Sequence, residues 1–588
     1  MSSPTIAGTR APQLARRALI LIILAACVHA PGAGRGKYEY DTEHPPLGRV
    51  FLAIGPYLAG AHSYGTPPPE GTPEGLHILY AKGAYWRDLT LARLGMLPFL
   101  VLLLTATWLW ARRLLPSEGA ALLAVVLTVS VPPVLGHAAL ASLDVAAAAT
   151  MLLALYALQR WLSSARLRDA VFFGLASGIA VVTKFSSVPF IGVSLIALSL
   201  THSAVPRRTG LAPALPAAAP ALGASGAAPA LPDLTGWRQR IAGLALAALV
   251  GLAPVWLAYG PRVADPAGVA FRFNWAVSYL LQQHGLAHAF GVLLSHLWLP
   301  RELQDLVNGV VAVKAHNDSG HLSYLLGETR LTGWWYFYLV ALAVKTPIPL
   351  LVAGPVGLVA LALGGWRRAD SWALAPLAAV VAILVFASAV SHINIGIRHI
   401  LIVYPFLALG AAHLTVRFWR ALHAPSTVPD ARATHFSPTL KQILNHPLKH
   451  LTNLRVLGMA ALLAALVWQL STLWRAWPDY LPYFNELVVH PERVLVDSDL
   501  DWGQDLHRLE VRAAQLGIGH LSLAYRGTAD LRRERLPPLH ILAPHERVTG
   551  WVAVSQLART RNHSDYAWLD AYHPVERVGK TIDLYYLP

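Results

Sequence analysis

The sequence has few of the charged residues that ordinary soluble domains carry on their surfaces. Asp, Glu, Lys and Arg together make up 13% of the 588 residues, whereas soluble domains contain about a quarter. Hydrophobic residues reach 55%, and the mean hydropathy is +0.46. This composition excludes an ordinary soluble protein and makes length a poor guide to the number of domains.

Cysteine is almost absent, since Cys27 is the only one in the chain. It lies in the first apolar run of the sequence. No intramolecular disulfide can therefore form, and any part of the chain outside the cytoplasm must fold without that cross-link.

Long apolar runs dominate the chain up to residue 474. Because a bilayer core needs about 20 apolar residues per helix, the runs predict an α-helical polytopic membrane protein with about eleven transmembrane helices. The predicted spans lie near residues 18–30, 90–110, 119–136, 143–162, 170–184, 186–200, 241–259, 334–363, 372–390, 398–416 and 456–473.

Acidic residues are scarcer than basic ones, with 32 Asp and Glu against 47 Lys and Arg, so the formal net charge is +15. We exclude a nucleic-acid partner, because the basic residues form short clusters between apolar runs, as the positive-inside rule requires. The N-terminus is then cytoplasmic, and an odd number of spans places the C-terminus outside. The clusters that define the cytoplasmic side are Arg16/Arg17, Arg112/Arg113, Arg160/Arg166/Arg168, Arg207/Arg208/Arg238/Arg240, Arg367/Arg368 and Arg417 to Arg455.

The chain divides into a transmembrane region, residues 1–474, and a C-terminal domain, residues 475–588. The C-terminal domain mixes charge with short apolar alternations, which predict the strands RVLVDS and HLSLAYRG and the amphipathic helix GQDLHRLEVRAAQLG. We therefore expect a small extracytoplasmic α/β domain. In the transmembrane region, the predicted loops are 31–89 and 260–333 outside and 203–236 and 417–454 in the cytoplasm.

Polar side chains from several separate segments are predicted to meet on the outer face. Ionisable groups at membrane depth are costly and mark function by default. Lys and Arg can hold a phosphate, and a carboxylate can remove a proton from an acceptor hydroxyl. The candidates are Asp41, Glu43 and His44 in the first outer loop, Asp144 and Lys184 in the next two outer turns, and His392, Asn394, Arg398 and His399 in SHINIGIRH. Lys345 is a further candidate that lies deeper, within a predicted span.

Structural interpretations compete with the functional ones. Asp144 can cap the helix that follows it, and Lys345 can snorkel or form a structural pair. The histidines of residues 284–321 show no metal-ligand spacing. DSDLDWGQDL, residues 497–506, has its glycine and later Glu misplaced for a calcium-binding EF-hand, so we interpret it as structural, a cover over the membrane site.

Six motifs, in order along nearly the whole chain, resemble bacterial membrane glycosyltransferases of the GT-C superfamily. The branch that they resemble is the phospholipid-carrier-dependent relatives of the protein O-mannosyltransferases, of the glycosyltransferase family 39 type. The motifs are DTEHPPLGR, ASLDVAAAA, VTKFS, VKTPIP, INIGIRHILIVYPFLALG and YFNELVVHPERVLVDSDLDWGQDLHRL.

The resemblance implies an enzyme of the bacterial inner membrane that takes a sugar from a polyprenyl-phosphate donor. Transfer to a hydroxyl of a protein, lipid or polysaccharide acceptor would occur on the outer side, with inversion at the anomeric carbon. The resemblance implies no metal ligand, although the carboxylates leave Mg²⁺ or Mn²⁺ open. It implies Glu43 and Asp144 as catalytic acids, and Lys184, Lys345 and Arg398 as substrate-binding cations with His44 and His399 as polar partners. To these we add Asp41 as a catalytic candidate and, from their place in the outer turn, His392 and Asn394 as substrate-binding candidates.

The sequence departs from the family pattern in one place. Relatives carry an Asp-Glu pair at the end of the first span, whereas CVHAPGAGRGKYEYD has no acid before Glu39. Either Asp41 substitutes and shares the work with Glu43, or the catalytic base is lost, or the N-terminal segment is altered. Two other functions therefore stay open: an inactive relative that binds the donor, and a transporter or flippase for a lipid-linked solute. The one-sided placement of ionisable groups disfavours alternating access.

Overall fold

The computed structural model describes residues 44–62, 74–205, 234–259, 266–423, 438–561 and 563–588. The described chain is mainly helical up to residue 476, interrupted by the antiparallel hairpin of β1 (Ser323–Leu325) and β2 (Glu328–Arg330). The helices of this region are Pro46–Leu58, Glu74–Tyr80, Tyr85–Leu94, Leu97–Leu114, Glu118–Val129, Pro132–Ala138, Asp144–Ser164, Leu167–Thr183, Ser187–Ala204, Leu234–Tyr259, Pro266–Leu281, Gly285–His296, Arg301–Ser319, Phe337–Lys345, Ile348–Arg368, Ser371–Val390, Val403–His423 and Pro438–Ala476.

Within the described residues, seven helices are long and apolar enough to cross a membrane, or eight if one bent pair counts as a single span. The predicted polytopic helical fold is therefore confirmed. Each predicted span in the described residues coincides with a helix or a pair of helices, although some are short, such as Leu167–Thr183 with 17 residues. The predicted span at 18–30 lies outside the described residues.

Proline divides two of the predicted spans into pairs of helices. The predicted span 119–136 is a helix ending at Val129 that bends by 69° into Pro132–Ala138. The predicted span 334–363 is interrupted before Ile348, where Pro347 precedes the second helix. Proline lacks the amide hydrogen that a continuous helix needs and disfavours helical backbone at the residue before it. Each break leaves a helix end inside the bundle.

The helix Asp144–Ser164 forms the centre of the bundle, with 89% of its apolar window buried. Four alanines at residues 146–149 are buried in its first turns, and small side chains of this kind allow neighbouring helices to approach closely. It packs against the helices Leu97–Leu114, Leu167–Thr183 and Ser187–Ala204. The central position explains why its first residue, Asp144, is buried.

The predicted loops 31–89 and 260–333 contain helices that the hydropathy pattern did not reveal. Pro46–Leu58 packs against Tyr85–Leu94. Pro266–Leu281 packs against both Gly285–His296 and Arg301–Ser319 through a small apolar cluster that includes Leu280, Leu294 and Val311. The described parts of these two segments are therefore largely helical rather than irregular.

The C-terminal domain has the small α/β fold predicted for it. Its five-stranded sheet has the order β4-β3-β5-β7-β6, in which β3 pairs in parallel with β4 and β5, and β7 pairs antiparallel with β5 and β6. The predicted strand HLSLAYRG contains β3, and the predicted amphipathic helix is Leu506–Gln515. The strands are β3 (Leu521–Ala524), β4 (Leu539–Ile541), β5 (Gly550–Ser555), β6 (Glu576–Val578) and β7 (Ile582–Leu587).

The predicted strand RVLVDS is wrong. It begins at the last residue of the 3₁₀ turn Pro491–Arg493 and ends within the short helix Asp497–Leu500. The apolar side chains that suggested a strand are buried elsewhere: Leu495 joins the core of the bundle, and Val496 packs with Leu500 and Leu557. This segment therefore connects the C-terminal domain to the bundle.

Close helix packing at Gly357 provides a test of the bundle. A Cβ atom at Gly357 would collide with the carbonyl oxygen of Gly410 on the facing helix, whereas a Cβ at Gly364 of the same helix would meet only the flexible end of Arg368. We expect Gly357→Ala to lower the free energy of unfolding by about 2 kcal/mol through overpacking. The matched control Gly364→Ala should leave it unchanged or raise it by up to about 1 kcal/mol. Thermal unfolding in matched detergent micelles measures both, and equal midpoints would contradict this packing.

Candidate active site

Three of the residues predicted from the sequence meet in one cluster. Asp144 is the first residue of the helix Asp144–Ser164, and its side chain is 2% exposed. Lys184 follows the helix Leu167–Thr183, and its Nζ lies 2.5 Å from Asp144 Oδ1. Arg398 lies in the 3₁₀ turn Ile397–Ile400, and its Nη1 lies 3.7 Å from Asp144 Oδ2. Three separate segments thus supply one carboxylate and two cations.

The carboxylate of Asp144 does not act as a helix cap. The capping position is held by Leu143, and no side-chain capping hydrogen bond is made there. Lys184 donates to Asp144 Oδ1 instead. A carboxylate in the first turn is also stabilised by the positive end of the helix dipole. The capping interpretation considered for Asp144 is therefore wrong.

The two cations are more accessible than the acid between them. The side chains of Lys184 and Arg398 are 15% and 19% exposed, against 2% for Asp144. One buried carboxylate compensates one of the two positive charges, so the cluster keeps an excess positive charge toward its accessible side. Lys and Arg in such a setting suit a phosphate group.

Aromatic rings surround the cluster. The guanidinium of Arg398 lies over the ring of Trp502, 4.9 Å from its centroid, and the ring of His137 meets Trp502 edge-on at 6.1 Å. His137 Nδ1 and His399 Nε2 are buried and find no hydrogen-bond partner within the described part of the chain. These two nitrogens are available to a polar group that enters the cluster.

Lys345 occupies a different position from Lys184 and Arg398. Its side chain is 1% exposed, and its Nζ donates to the backbone carbonyls of Leu481 at 2.8 Å and Asp499 at 2.6 Å. The ammonium also lies 4.4 Å from the centroid of the Phe484 ring. These contacts fasten the start of the C-terminal domain to the end of the helix Phe337–Lys345.

His392 and Asn394 shape the turn that carries Arg398. Asn394 Oδ1 accepts a hydrogen bond from the amide of Trp334 at 2.7 Å. The amide of His392 donates to Asn317 Oδ1 at 2.9 Å. Both residues thus connect the turn to neighbouring segments, and these contacts give each a structural role beside the substrate-binding role predicted for it.

Two carboxylates of the acidic motif DSDLDWGQDL accept hydrogen bonds from backbone amides. Asp501 accepts from the amides of Leu557 and Gly503, at 2.8 and 3.0 Å. Asp505 Oδ2 accepts from the amides of Lys580 and Thr581, at 2.7 and 3.0 Å. These bonds fix the motif to the rest of the C-terminal domain, while its Trp502 lies against Arg398. The structural interpretation of the motif fits these contacts.

Burial raises the pKa of Asp501 to about 6, and the two amide hydrogen bonds oppose that rise. Burial likewise raises the pKa of Asp499 above its usual value, opposed by the nearby Lys345 ammonium and the Ile397 amide. Both acids belong to the C-terminal domain, next to the bundle.

Asp41 and Glu43 lie outside the described residues, which begin at His44. Pro46, Leu47 and Gly48 follow directly and are buried. Gly48 packs so closely on Leu143, the residue before Asp144, that an added Cβ would collide with the Leu143 side chain. The chain thus enters the described structure beside the cluster.

The cluster does not fit a divalent cation. Mg²⁺ and related ions need several oxygen ligands, but the cluster has one carboxylate, and two cations already contact it. Among the described residues, no group of three or more His, Cys, Asp or Glu side chains could hold a metal ion. The described residues therefore suit an anion better.

Sequence reasoning did not identify Trp502 or Asp499 as part of the site. The sequence offers one weak signal, a tryptophan inside an acidic segment that is too irregular for a calcium loop. Which residue this tryptophan contacts depends on tertiary structure, because Arg398 and Trp502 lie on different parts of the fold.

No family model matches the chain, and no curated protein matches it in sequence. Among solved structures, ArnT from Cupriavidus metallidurans bound to undecaprenyl phosphate is similar at 14% identity and a TM-score of 0.38, over 96% of this chain and 97% of that chain. The same protein in the apo state is similar at 13% identity and a TM-score of 0.40, again over 96% of this chain and 97% of that chain.

The archaeal oligosaccharyltransferase AglB from Archaeoglobus fulgidus, in complex with an inhibitory peptide and a dolichol-phosphate, gives 12% identity and a TM-score of 0.36, over 97% of this chain and 74% of that chain. With TM-scores of 0.36–0.40, these likenesses carry no argument about family or reaction, and the proposed function rests on the site itself.

The ion cluster provides a second test. We expect Asp144→Asn to lower the free energy of unfolding by about 3 kcal/mol, because it leaves two partly buried cations without their shared counterion. Asp144→Asn combined with Lys184→Met should recover part of the loss. The control Glu328→Gln, which breaks the exposed pair with Arg330, should cost under about 1 kcal/mol. Unfolding midpoints in detergent compare the variants. A double variant no more stable than Asp144→Asn alone would contradict a stabilising interaction between Asp144 and Lys184.

Proposed function

We propose that the chain is an inverting glycosyltransferase that moves a sugar from a polyprenyl-phosphate donor to an acceptor hydroxyl on the outer face of the membrane. The observation that carries this proposal is the pair of accessible cations, Lys184 and Arg398, held by the buried Asp144. In this proposal the lipid carrier would reach the cluster from the bilayer around the helices that supply these residues.

The phosphate of the donor would bind to Lys184 and Arg398. A sugar phosphate ester breaks more readily when the charge developing on the departing phosphate is neutralised, and fixed cations do this without proton transfer. Asp144 holds both cations in place at a distance of 2.5 Å from Lys184 and 3.7 Å from Arg398. His137 and His399 add polar nitrogens next to the same space.

The acceptor hydroxyl requires a base on the opposite side of the sugar. Asp144 already accepts a hydrogen bond from Lys184, so we assign it to holding the cations. Asp41 and Glu43 are the proposed bases, with His44 as a polar partner. In the displacement, the acceptor oxygen forms a bond to the anomeric carbon and the bond from that carbon to the phosphate oxygen breaks. The hydroxyl proton passes to the carboxylate, and the phosphate leaves with its electron pair.

The membrane orientation supports transfer on the outer side. The basic clusters lie on the side that the positive-inside rule identifies as cytoplasmic, whereas Asp144, Lys184 and Arg398 lie at the other ends of their helices. The proposed location is the bacterial inner membrane, with the C-terminal domain outside. The acceptor would be a protein, lipid or polysaccharide hydroxyl.

An inactive relative that binds the donor is the second candidate. It is favoured by the absence of an acid before Glu39 in a segment where the related enzymes carry an Asp-Glu pair. Such a protein would keep the phosphate site of Lys184 and Arg398 but would transfer nothing.

Activity measurements on purified protein test the proposal. We expect wild type to transfer sugar from one member of a panel of undecaprenyl-phosphate sugars, and Arg398→Gln to lower transfer about a hundredfold, as removal of a charge stabiliser does. Asp41→Asn or Glu43→Gln should lower it about a hundredfold or more, as loss of a general base does. The control Arg547→Gln changes an exposed arginine of the C-terminal domain and should keep full activity.

Each alternative has its own outcome in this experiment. Donor binding without transfer by wild type would favour the inactive relative. Movement of an intact lipid-linked solute across proteoliposomes, again without transfer, would favour a flippase. Equal losses in Arg398→Gln and Arg547→Gln would contradict a specific role for Arg398.

A further inference from the structure

The turn that carries Arg398 is hydrogen-bonded to two consecutive residues of the C-terminal domain, Ser498 and Asp499. The amide of Ile397, the residue before Arg398, donates to Asp499 Oδ1 at 3.0 Å. Ser498 Oγ donates to the carbonyl of Ile395. The backbone on which Arg398 stands is therefore bound from one side by residues 498 and 499.

Gly396 allows this contact. Its φ is +145°, a conformation that residues with a side chain rarely adopt. A Cβ at this position would collide with Ser498 Oγ. The sequence INIGIRH thus keeps its glycine where the C-terminal domain approaches the turn.

The side chain of Arg398 is held by the same segment. Its guanidinium lies 4.9 Å from the centroid of the Trp502 ring, within the range in which a cation is attracted to an aromatic face. Arg398 Nε has no hydrogen-bond partner within the described part of the chain. Trp502 and Asp144 therefore supply the interactions that orient the guanidinium.

The segment that makes these contacts is itself anchored at both ends. On the bundle side, Lys345 donates to the carbonyl of Asp499, and the Asn485 side chain donates to the carbonyls of Ala343 and Thr346, at 2.6 and 2.8 Å. On the domain side, Asp501 accepts from the amide of Leu557. Residues 498–502 thus have little freedom to move away from Arg398.

We propose that Asp499 and Trp502 are positioning residues for Arg398, so that the C-terminal domain completes the phosphate-binding part of the membrane site. Asp499 fixes the backbone of the turn and Trp502 fixes the guanidinium. This inference rests on the proposed function, because it assumes that Arg398 binds the phosphate of a polyprenyl-phosphate lipid.

Binding selectivity separates positioning from general stability. The probes are undecaprenyl phosphate and the uncharged undecaprenol. The dissociation constant for undecaprenol divided by that for undecaprenyl phosphate reports the contribution of the phosphate alone. We expect Trp502→Ala and Asp499→Ala each to lower this ratio about tenfold, as expected for loss of a desolvated cation–π contact or of its support. The affinity for undecaprenol should stay unchanged in both.

Conservative variants identify the interaction that matters. Trp502→Phe keeps an aromatic face, and Asp499→Asn keeps an oxygen that can accept from the Ile397 amide, so both should retain most of the wild-type ratio. The control Tyr586→Ala removes a 60% exposed aromatic ring from the same domain and should leave the ratio unchanged. Trp502 is 37% exposed, so Trp502→Ala opens no cavity in the core. This variant therefore tests the positioning role even if Asp499→Ala fails to fold.

The outcomes distinguish this inference from the function on which it rests. If wild type prefers undecaprenyl phosphate and Trp502→Ala keeps the full preference, the positioning role is overturned while the proposed phosphate site stands. If wild type binds both lipids equally, the proposed function fails and the positioning role fails with it. Loss of undecaprenol affinity in Trp502→Ala would indicate a general packing role and would also overturn the inference.

Discussion

The buried carboxylate of Asp144 is the interaction on which the site depends. Without it, Lys184 and Arg398 would be two like charges brought together at the end of an apolar bundle, where uncompensated charge is costly. With it, each cation has a partner at 2.5 or 3.7 Å. The acid is buried because it begins the most buried candidate span of the bundle. Lys184 reaches it from the end of the helix Leu167–Thr183, and Arg398 from the 3₁₀ turn Ile397–Ile400.

The second constraint is the connection between the bundle and the C-terminal domain. Lys345 is a cation with almost no solvent contact, and the carbonyl oxygens of Leu481 and Asp499 replace the water that it lacks. These two carbonyls belong to the segment that leads to Trp502. By donating hydrogen bonds to them, Lys345 therefore also helps to keep Trp502 against Arg398. The membrane and extramembrane parts of the chain thus form one site.

Much of this could be predicted from the sequence. Hydropathy located the long apolar helices, although not those within the predicted loops 31–89 and 260–333. Charged residues at the ends of the apolar runs singled out Asp144, Lys184 and Arg398, because such residues need a partner or a function. The partner of Lys345 could not be predicted, since sequence reveals the depth of a residue but not the carbonyls around it. RVLVDS alternates like a strand, yet Leu495 and Val496 are buried against the bundle and its neighbours rather than in a sheet. Tertiary contacts overrode the local pattern there, and the contact of Trp502 with Arg398 is a tertiary contact that no local pattern indicates.

The decisive measurement is a structure of the protein with undecaprenyl phosphate, determined by cryo-electron microscopy. We expect the lipid phosphate within about 3 Å of Lys184 Nζ and the Arg398 guanidinium, the distance of a charge-assisted hydrogen bond. Trp502 should still lie against Arg398. A phosphate bound away from both cations, with Lys184 and Arg398 still paired only to Asp144, would rule out the phosphate site proposed for them.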